Sequence, residues 1–273
     1  SSSSSSSTWG EVAAVFARSG LVVLTHAYDE TAVQSLHSTC SARLQLLLHT
    51  AAAKGVSNRL QSGKQGFAEI MLRCRGRLDM QVPEIRAAFQ AETPAFLPLL
   101  HTLLGADCRL MFAGVVIAFP DSEAPPQPWH SDGPQLYSDT ASLHLAEQEA
   151  DLDGRALPQG SNKHGATAKQ LPPYCINVFL PLVEMDSTLG PTVFAPGTQY
   201  VDAQVTPRPY RGRLHVTPIL DLGSVAIFDY RLSHRGLVNH SNKPRPMLYL
   251  TYCRHWYSDT HNFSDVALLD NQD

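Results

Sequence analysis

The residues best suited to hold a metal ion lie in the stretch WHSDGPQLY, residues 129–137. His130 and Asp132 stand two positions apart, and in an extended segment residues with that spacing point to the same side of the chain. One imidazole and one carboxylate directed at a common point supply two ligands of a 2-His-1-carboxylate site for Fe(II). Alone, the pair is weak evidence, because a chain with 12 histidines and 25 acidic residues is expected to contain about one such pair by chance.

The residues that complete this pattern come much later in the chain. His234 follows a strand-like segment, and Arg245 stands eleven positions beyond it. A 2-His-1-carboxylate site leaves positions open for a bidentate keto acid and O2. An arginine is the natural partner for the far carboxylate of such an acid, because its planar fork bonds both oxygens. The spacing therefore favours His234 as the third ligand and Arg245 as the residue that binds the keto acid.

The composition limits the class of protein. The chain has 273 residues, 43% hydrophobic and 17% charged, which is typical of a globular protein with a sizeable core. A net charge of -4 gives no general reason to expect binding to nucleic acid or to an anionic membrane. Five scattered cysteines without a CxxC pair favour a reducing, cytoplasmic compartment over a disulfide framework or a zinc ribbon. The apolar runs are too short to span a bilayer.

The segments that must position these residues change in character near residue 108. Before it the pattern is mainly helical: Thr8 and Glu11 fit a capping box, and Asp29 is placed to cap a long helix that ends near Gly55. Helices followed by short strands indicate an α+β protein built around an antiparallel sandwich or barrel. Strands rich in Val, Ile, Phe, Tyr and Thr are predicted at 108–119, 174–182, 191–195, 213–219, 223–228 and 247–253.

Two segments stand apart from this pattern. Residues 1–8 form a Ser-rich, low-complexity tail that lacks the features of a signal peptide and is predicted to be disordered. Residues 138–173 form a long polar insertion, which is either a lid or a solvated surface excursion. Since no linker divides the remainder, 9–273 is expected to be one domain, with a helical region at 9–107 and a strand core at 108–255.

The sequence resembles the phytanoyl-CoA dioxygenase family of Fe(II)- and 2-oxoglutarate-dependent oxygenases. Three segments carry the resemblance, in the family's order: QPWHSDGPQLY, GPTVFAPGTQ and FDYRLSHRGLVNHSNKPRPMLYLTY. The resemblance implies a double-stranded β-helix (jelly-roll, cupin-like) core with N-terminal helices packed on it. It implies iron binding by His130, Asp132 and His234, and 2-oxoglutarate binding by Arg245. It also implies the use of O2 to hydroxylate, or otherwise oxidise, a small organic or lipid-like substrate, with release of succinate and CO2.

The sequence departs from that family at two places. Thr198 and Gln199 replace a Ser-His pair, and Gly236 stands where relatives often carry a serine that helps to hold the co-substrate. Asn177 is, by resemblance, a candidate to contact 2-oxoglutarate instead. Asp132 keeps the carboxylate that related halogenases lose, so the resemblance implies oxidation without halogenation.

Other residues admit a functional and a plain interpretation. In RCRGR, Arg73, Arg75 and Arg77 lie on one face if extended, either as a basic strip for a carboxylate or phosphate or as a solvated strand face. Trp129 and Tyr137 line a pocket or belong to the core. Histidines without a carboxylate two residues on are expected to be structural or exposed: His144, His164, His240 and His255.

Two alternatives to an oxygenase remain open at this point. One is a non-catalytic jelly-roll protein that binds a metal or ligand without turnover. The other is a cupin-type metalloenzyme that needs no keto acid, although Arg245 argues against it because such an enzyme has no co-substrate carboxylate to bind. The substrate is not fixed by the sequence, because the pocket depends on the variable N-terminal region and on residues 138–173.

Overall fold

The computed structural model describes residues 4–61, 66–74, 76–120, 126–134, 136, 172–200, 214–259, 262 and 268–269. The helices are α1 (Ser4–Ser19), α2 (Glu30–Ala53), α3 (Pro83–Ala91) and α4 (Leu97–Leu104). The strands are β1 (Leu21–Leu24), β2 (Ile70–Cys74), β3 (Arg77–Gln81), β4 (Arg109–Ala118), β5 (Cys175–Pro181), β6 (Thr192–Phe194), β7 (Val225–Asp229), β8 (His234–Gly236) and β9 (Arg245–Cys253). The predicted insertion at 138–173 lies outside the described residues except for its last two positions.

The helices begin and end for local reasons. Asp29 caps α2 as predicted, because its carboxylate accepts a 2.7 Å hydrogen bond from the amide of Ala32. Helix α4 ends at Gly105, whose φ of 103° is rarely accessible to other residues. The predicted capping box is wrong, because α1 already begins at Ser4 and Thr8 lies inside it. Helix α1 thus includes residues 4–8, which the sequence predicted as part of a disordered tail. Once a helix has formed, each further residue only has to extend it.

Seven strands form one antiparallel sheet in the order β1-β7-β5-β9-β4-β3-β2, and β6 pairs with β8 in a second, two-stranded sheet. The architecture is α+β with a jelly-roll core, as the sequence predicts. Alternation along each strand separates two environments. On β9, Leu248 and Leu250 belong to the main hydrophobic core with residues of all four helices, whereas Met247 and Tyr249 line a cavity on the opposite face.

Two parts of the strand prediction differ from the structure. Strands β1, β2 and β3 lie in the region predicted to be helical, and each forms an antiparallel pair within the large sheet. The predicted strand at 213–219 is wrong over its described residues, where Val216 alone forms a bridge, to Phe194. The segment that contains Val216 is rich in prolines, which lack the amide that a ladder needs.

Two further properties follow from the described residues. Four of the cysteines are free thiols: Cys40, Cys108, Cys175 and Cys253. Among the helices that the structure describes, none combines the length and the apolar character needed to cross a bilayer.

Candidate metal centre

The segments that carry the candidate ligands are joined through their backbones. The amide of His130 donates to the carbonyl of His234 at 3.1 Å, and the amide of His234 donates back to His130 at 2.8 Å. The amides of Asp132 and Gly133 both donate to the carbonyl of Tyr230 at 3.0 Å. The loop after residue 126 is therefore fixed to the chain between β7 and β8, and this brings the predicted ligands together.

The three predicted ligand side chains converge. Nε2 of His130 lies 3.9 Å from Oδ1 of Asp132, and Nε2 of His234 lies 3.6 Å from Oδ2 of the same carboxylate. All three ligand atoms lie within 4.8 Å of one another. Among the residues that the structure describes, His130, Asp132 and His234 form the group of His, Cys, Asp or Glu side chains that lie close enough together to hold a metal ion. Its donor set is the 2-His-1-carboxylate type.

Hydrogen bonds to the backbone orient both imidazole rings. Nδ1 of His130 lies 2.9 Å from the carbonyl oxygen of Pro128, and Nδ1 of His234 lies 2.9 Å from that of Leu232. A carbonyl only accepts, so each Nδ1 carries the proton and each Nε2 keeps its lone pair for a metal. Burial, including packing against Phe228 at a ring-centroid distance of 5.0 Å, lowers the pKa of His234 to about 4. His234 is therefore neutral at neutral pH.

The carboxylate ligand is held by a chain of polar side chains. The amide of Asn177 donates to Oδ2 of Asp132 at 2.6 Å, and the hydroxyl of Thr251 donates to Oδ1 of Asn177, also at 2.6 Å. Asn177 and Thr251 are Cα partners in neighbouring strands and are both buried. Such contacts behind a ligand fix its orientation. Asn177 thus contacts the metal site, and its predicted contact with 2-oxoglutarate stays a prediction.

Arg245 is a buried cation at the start of β9. Its side chain is 3% exposed, and its Nη1 donates to the carbonyl of Gly190. In the described ranges, no hydrogen-bond acceptor meets its Nε and no carboxylate lies within ion-pair distance. Burial, and secondly the positive charge of Arg77, lowers the pKa of Arg245 to about 10, so it stays charged at neutral pH. A buried charge without a counter-ion is costly, so this position is suited to an anion.

One cavity connects these parts. It has a volume of about 390 Å³ and is lined by the three candidate ligands, Asn177 and Arg245. That volume lies in the range of small-molecule sites, roughly 300–1,000 Å³. A donor set for a metal and a cation for an anionic group thus face the same cavity, and the residues present fit both iron and a keto acid with a second carboxylate.

A family model for phytanoyl-CoA dioxygenase (PhyH) matches residues 16–247, which is most of the chain and includes nearly all of the helical region. The chain belongs to the phytanoyl-CoA dioxygenase family. The PhyH family uses Fe(II), 2-oxoglutarate and O2. The donor set and the buried arginine of this member are consistent with those requirements.

Solved structures of non-heme enzymes share the fold. The alpha-ketoglutarate-dependent carbocyclase SnoK from nogalamycin biosynthesis is similar over 89% of this chain and 83% of its own, at 15% identity and a TM-score of 0.59. The epimerase SnoN, in complex with Fe3+, alpha ketoglutarate and nogalamycin RO, is similar over 94% of this chain and 88% of its own, at 16% identity and a TM-score of 0.56. The non-heme monooxygenase ThoJ, as a nickel complex, is similar over 91% of this chain and 79% of its own, at 16% identity and a TM-score of 0.56. At these identities the likeness concerns the fold.

The two departures from the PhyH pattern have visible structural settings. The hydroxyl of Thr198 accepts from the amide of Ser233 at 2.9 Å and donates to the carbonyl of Ala195 at 2.7 Å, so it supports the residue before His234. At Gly236, a Cβ would lie 2.8 Å from Oε1 of Gln127 and 3.3 Å from Nη2 of Arg77. The side chains of Gln127 and Arg77 therefore already occupy the space that a side chain at position 236 would need.

Sequence reasoning missed a polar network on the cavity wall. Nε of Arg73 donates to Oδ2 of Asp79 at 2.7 Å, and the hydroxyl of Tyr249 donates to Oδ1 of Asp79 at 2.8 Å. Burial raises the pKa of Asp79, and the ion pair with Arg73 opposes that shift. The alternation of Arg77, Asp79 and Gln81 in RLDMQ is the signal that predicts a strand with a polar inner face.

Several predicted residues lie elsewhere or remain undescribed. RCRGR was expected to form one basic strip if the segment is extended. Its described arginines, Arg73 and Arg77, instead lie on the two arms of the β2–β3 hairpin. Trp129 is half-buried against His215 and below the guanidinium of Arg235, and it is not itself among the residues that line the cavity, although its neighbours Pro128 and His130 are. His255 forms an exposed ion pair with Asp107, 2.6 Å long. Four more predicted residues lie outside the described residues: Arg75, Tyr137, His144 and His164.

Proposed function

We propose that this chain is an Fe(II)- and 2-oxoglutarate-dependent dioxygenase that hydroxylates, or otherwise oxidises, a small organic or lipid-like substrate and releases succinate and CO2. The observation that carries the proposal is the shared cavity, in which three convergent metal donors face the same space as a buried arginine that has no counter-ion among the described residues. Such an arginine is expected where an anionic co-substrate binds beside the metal. Membership of the PhyH family supports the same function.

Each residue of the site has a separate task in this proposal. His130, Asp132 and His234 hold the iron, which when bound activates O2 with electrons from the decarboxylation of 2-oxoglutarate. Arg245 binds the distal carboxylate, because a guanidinium fork matches both of its oxygens. Asn177 keeps Oδ2 of Asp132 in place. The contribution of the chain is to orient these groups in an enclosed space.

The single domain at 9–273 is part of the same proposal. Support comes from the main hydrophobic core, which contains Phe16 of α1 and Val33 of α2 together with Leu250 of β9. Helices and sheet thus share one core, as expected of one folding unit.

The test is anaerobic addition of Fe(II) and then 2-oxoglutarate to the metal-free protein. Chelation by the metal is expected to produce a weak visible charge-transfer band, and substrate-free turnover in air to release succinate slowly. His130→Ala is expected to remove the band, because one of the three donors is lost. His255→Ala is the matched control and is expected to keep it, because that imidazole lies in an exposed surface pair.

Two results would count against the proposal. Absence of the band from the folded, unmodified protein would favour the non-catalytic jelly-roll alternative. A band that persists in His130→Ala with unchanged intensity would remove His130 from the metal site.

A further inference from the structure

Residues that follow β9 return to the candidate metal centre. Strand β9 ends at Cys253, and Asn262, nine positions later, lines the cavity together with Asp132 and Tyr230. The family model matches residues 16–247, so Asn262 lies outside the matched region. Part of the cavity wall beside the candidate ligand Asp132 is therefore supplied from beyond the part of the chain that resembles the family.

The side-chain amide of Asn262 joins three hydrogen-bond acceptors. Its Nδ2 donates to Oδ2 of Asp259 at 2.8 Å and to the hydroxyl oxygen of Tyr230 at 3.0 Å. The same Nδ2 donates to the main-chain carbonyl of Asp132 at 3.3 Å. The hydroxyl of Tyr230 donates its own proton to Oδ2 of Asp259 at 2.6 Å. An amide nitrogen has two protons, so the three acceptors share them and fix the orientation of the side chain.

Three separate atoms hold Asp132 in place. Its amide donates to the carbonyl of Tyr230 at 3.0 Å, its Oδ2 accepts from Asn177 at 2.6 Å, and its carbonyl accepts from Asn262. The next residue, Gly133, packs on the ring of Tyr230, since a Cβ there would lie 2.3 Å from Cδ1 of that ring. The contact from Asn262 thus restrains the peptide group that joins Asp132 to Gly133. Contacts behind a metal ligand fix its orientation.

The chain is anchored on both sides of Asn262. Leu269 is fully buried in the main hydrophobic core, and its amide donates to Oε2 of Glu69 at 3.0 Å. Closer to β9, the buried Tyr257 packs on Tyr174, with ring centroids 4.5 Å apart. Asn262 therefore lies between two points that are packed onto the domain.

We propose that Asn262 is a positioning residue for Asp132: its side-chain amide holds the carbonyl of the metal ligand and couples metal binding to the docking of the residues after β9. The inference rests on the proposed function, because it takes Asp132 to bind the metal. Such a coupling is reciprocal, so a metal that depends on this contact also stabilises it. The plainer role of Asn262 is to fix the chain after β9 through Asp259 alone, and metal binding would not respond to that role.

The test uses the full chain and Co(II), whose visible absorption band depends on the geometry of its ligands. Asn262→Leu keeps the approximate shape but removes the donor, and Asn262→Gln keeps a donor on a longer side chain. Asn242→Leu is the matched control, because it makes the same exchange at an exposed residue before β9. The measurements are the Kd for Co(II) by competition with a metal-sensitive dye, the absorption band at saturating Co(II), and hydrogen exchange of the peptide that contains Asn262.

Asn262→Leu is expected to weaken Co(II) binding about tenfold, the lower end of the effect of a contact behind a metal ligand, and to change the absorption band at saturating Co(II). Asn262→Gln is expected to fall between Asn262→Leu and the unmodified protein, and Asn242→Leu to match the unmodified protein. In the unmodified protein, Co(II) is expected to slow exchange of the Asn262 amide, which donates to Oδ1 of Asp259 at 3.0 Å. Asn262→Leu is expected to lose this slowing.

The inference is overturned if Asn262→Leu speeds hydrogen exchange but leaves the Kd and the absorption band unchanged, because Asn262 then only anchors the chain. Structural damage would also overturn it: Asn262→Gln would lose as much affinity as Asn262→Leu, and both would lose near-ultraviolet circular dichroism. If the unmodified protein binds neither Fe(II) nor Co(II), the proposed function fails and the inference fails with it. If it binds both and Asn262→Leu binds them equally well, the inference alone fails.

Discussion

One end of the cavity carries the three candidate metal donors, His130, Asp132 and His234. At the other end, Arg245 forms no ion pair with a carboxylate of the described residues. The metal end is satisfied on its outer side, since both imidazoles and the carboxylate are hydrogen-bonded from behind. The arginine end is less completely satisfied, since Nε of Arg245 has no acceptor. The first end is therefore preorganised for its ligand, whereas the second depends on its ligand for neutralisation.

The largest expected effect comes from breaking the arginine end alone. Arg245→Gln is expected to raise the Kd for 2-oxoglutarate about 100-fold, because truncating one partner of a buried charge pair costs about 2–5 kcal/mol. Fe(II) binding should remain, since Arg245 is not among the converging donors. Titration of the charge-transfer band against 2-oxoglutarate measures the first effect, and metal analysis after desalting measures the second. Joint loss of both would mean that the two ends are not separable.

An intermediate effect is expected on acidification, and it concerns the metal end. The pKa of His234 is about 4 in the folded protein and about 6.5 when unfolded, so between these values the unfolded chain binds a proton that the folded one excludes. The stabilisation is complete above pH 6.5 and is lost as the pH falls towards 4. For the metal-free protein the contribution of His234 is expected to fall by about 2 kcal/mol between pH 7 and pH 5.

Urea unfolding of the metal-free protein at pH 7 and pH 5 measures this difference in the free energy of unfolding. His234→Gln lacks the titrating group and is expected to lose about 2 kcal/mol less on the same change of pH. An equal loss in both proteins would show that burial of His234 does not govern the acid sensitivity.

The smallest effect is expected from the support behind Asp132. Asn177→Ala is expected to weaken Fe(II) binding about tenfold, the lower end of the effects seen when a contact behind a metal ligand is removed. Thr251→Val, which keeps the shape but removes the donor to Asn177, is expected to weaken it about threefold. Competition with a metal-sensitive dye measures both. If Asn177→Ala instead weakens 2-oxoglutarate binding and leaves Fe(II) binding unchanged, Asn177 contacts the co-substrate as the sequence suggested.

The C-terminal strands could be predicted because their composition is unambiguous. In β5 and β9 most residues are apolar, aromatic or β-branched, since both faces are covered. The candidate metal ligands followed from residue type and order, and the structure brings their side chains together. Their convergence could not be derived from spacing alone, because it depends on backbone bonds between His130 and His234, which are 104 positions apart.

The N-terminal strands were missed for the opposite reason. Strand β1 is four residues long and directly follows a helix, and β3 directs Arg77 and Asp79 towards the cavity face of the sheet. Polar residues on an inner face weaken the apolar alternation by which strands are recognised. Asp79 of β3 and Arg73 of β2 lie on the polar wall of the cavity, so the part of the fold that was hardest to predict borders the cavity.

The reciprocal bonds between His130 and His234 have a kinetic consequence. Each amide is bonded to the other residue's carbonyl, so one opening event exposes both amides to solvent. The loop that carries His130 and strand β8, which carries His234, are therefore expected to open together. A metal bound by residues of both segments would slow this opening. The residence time of the metal would then depend on the cooperative motion of the chain as well as on the strength of its bonds to the ligands.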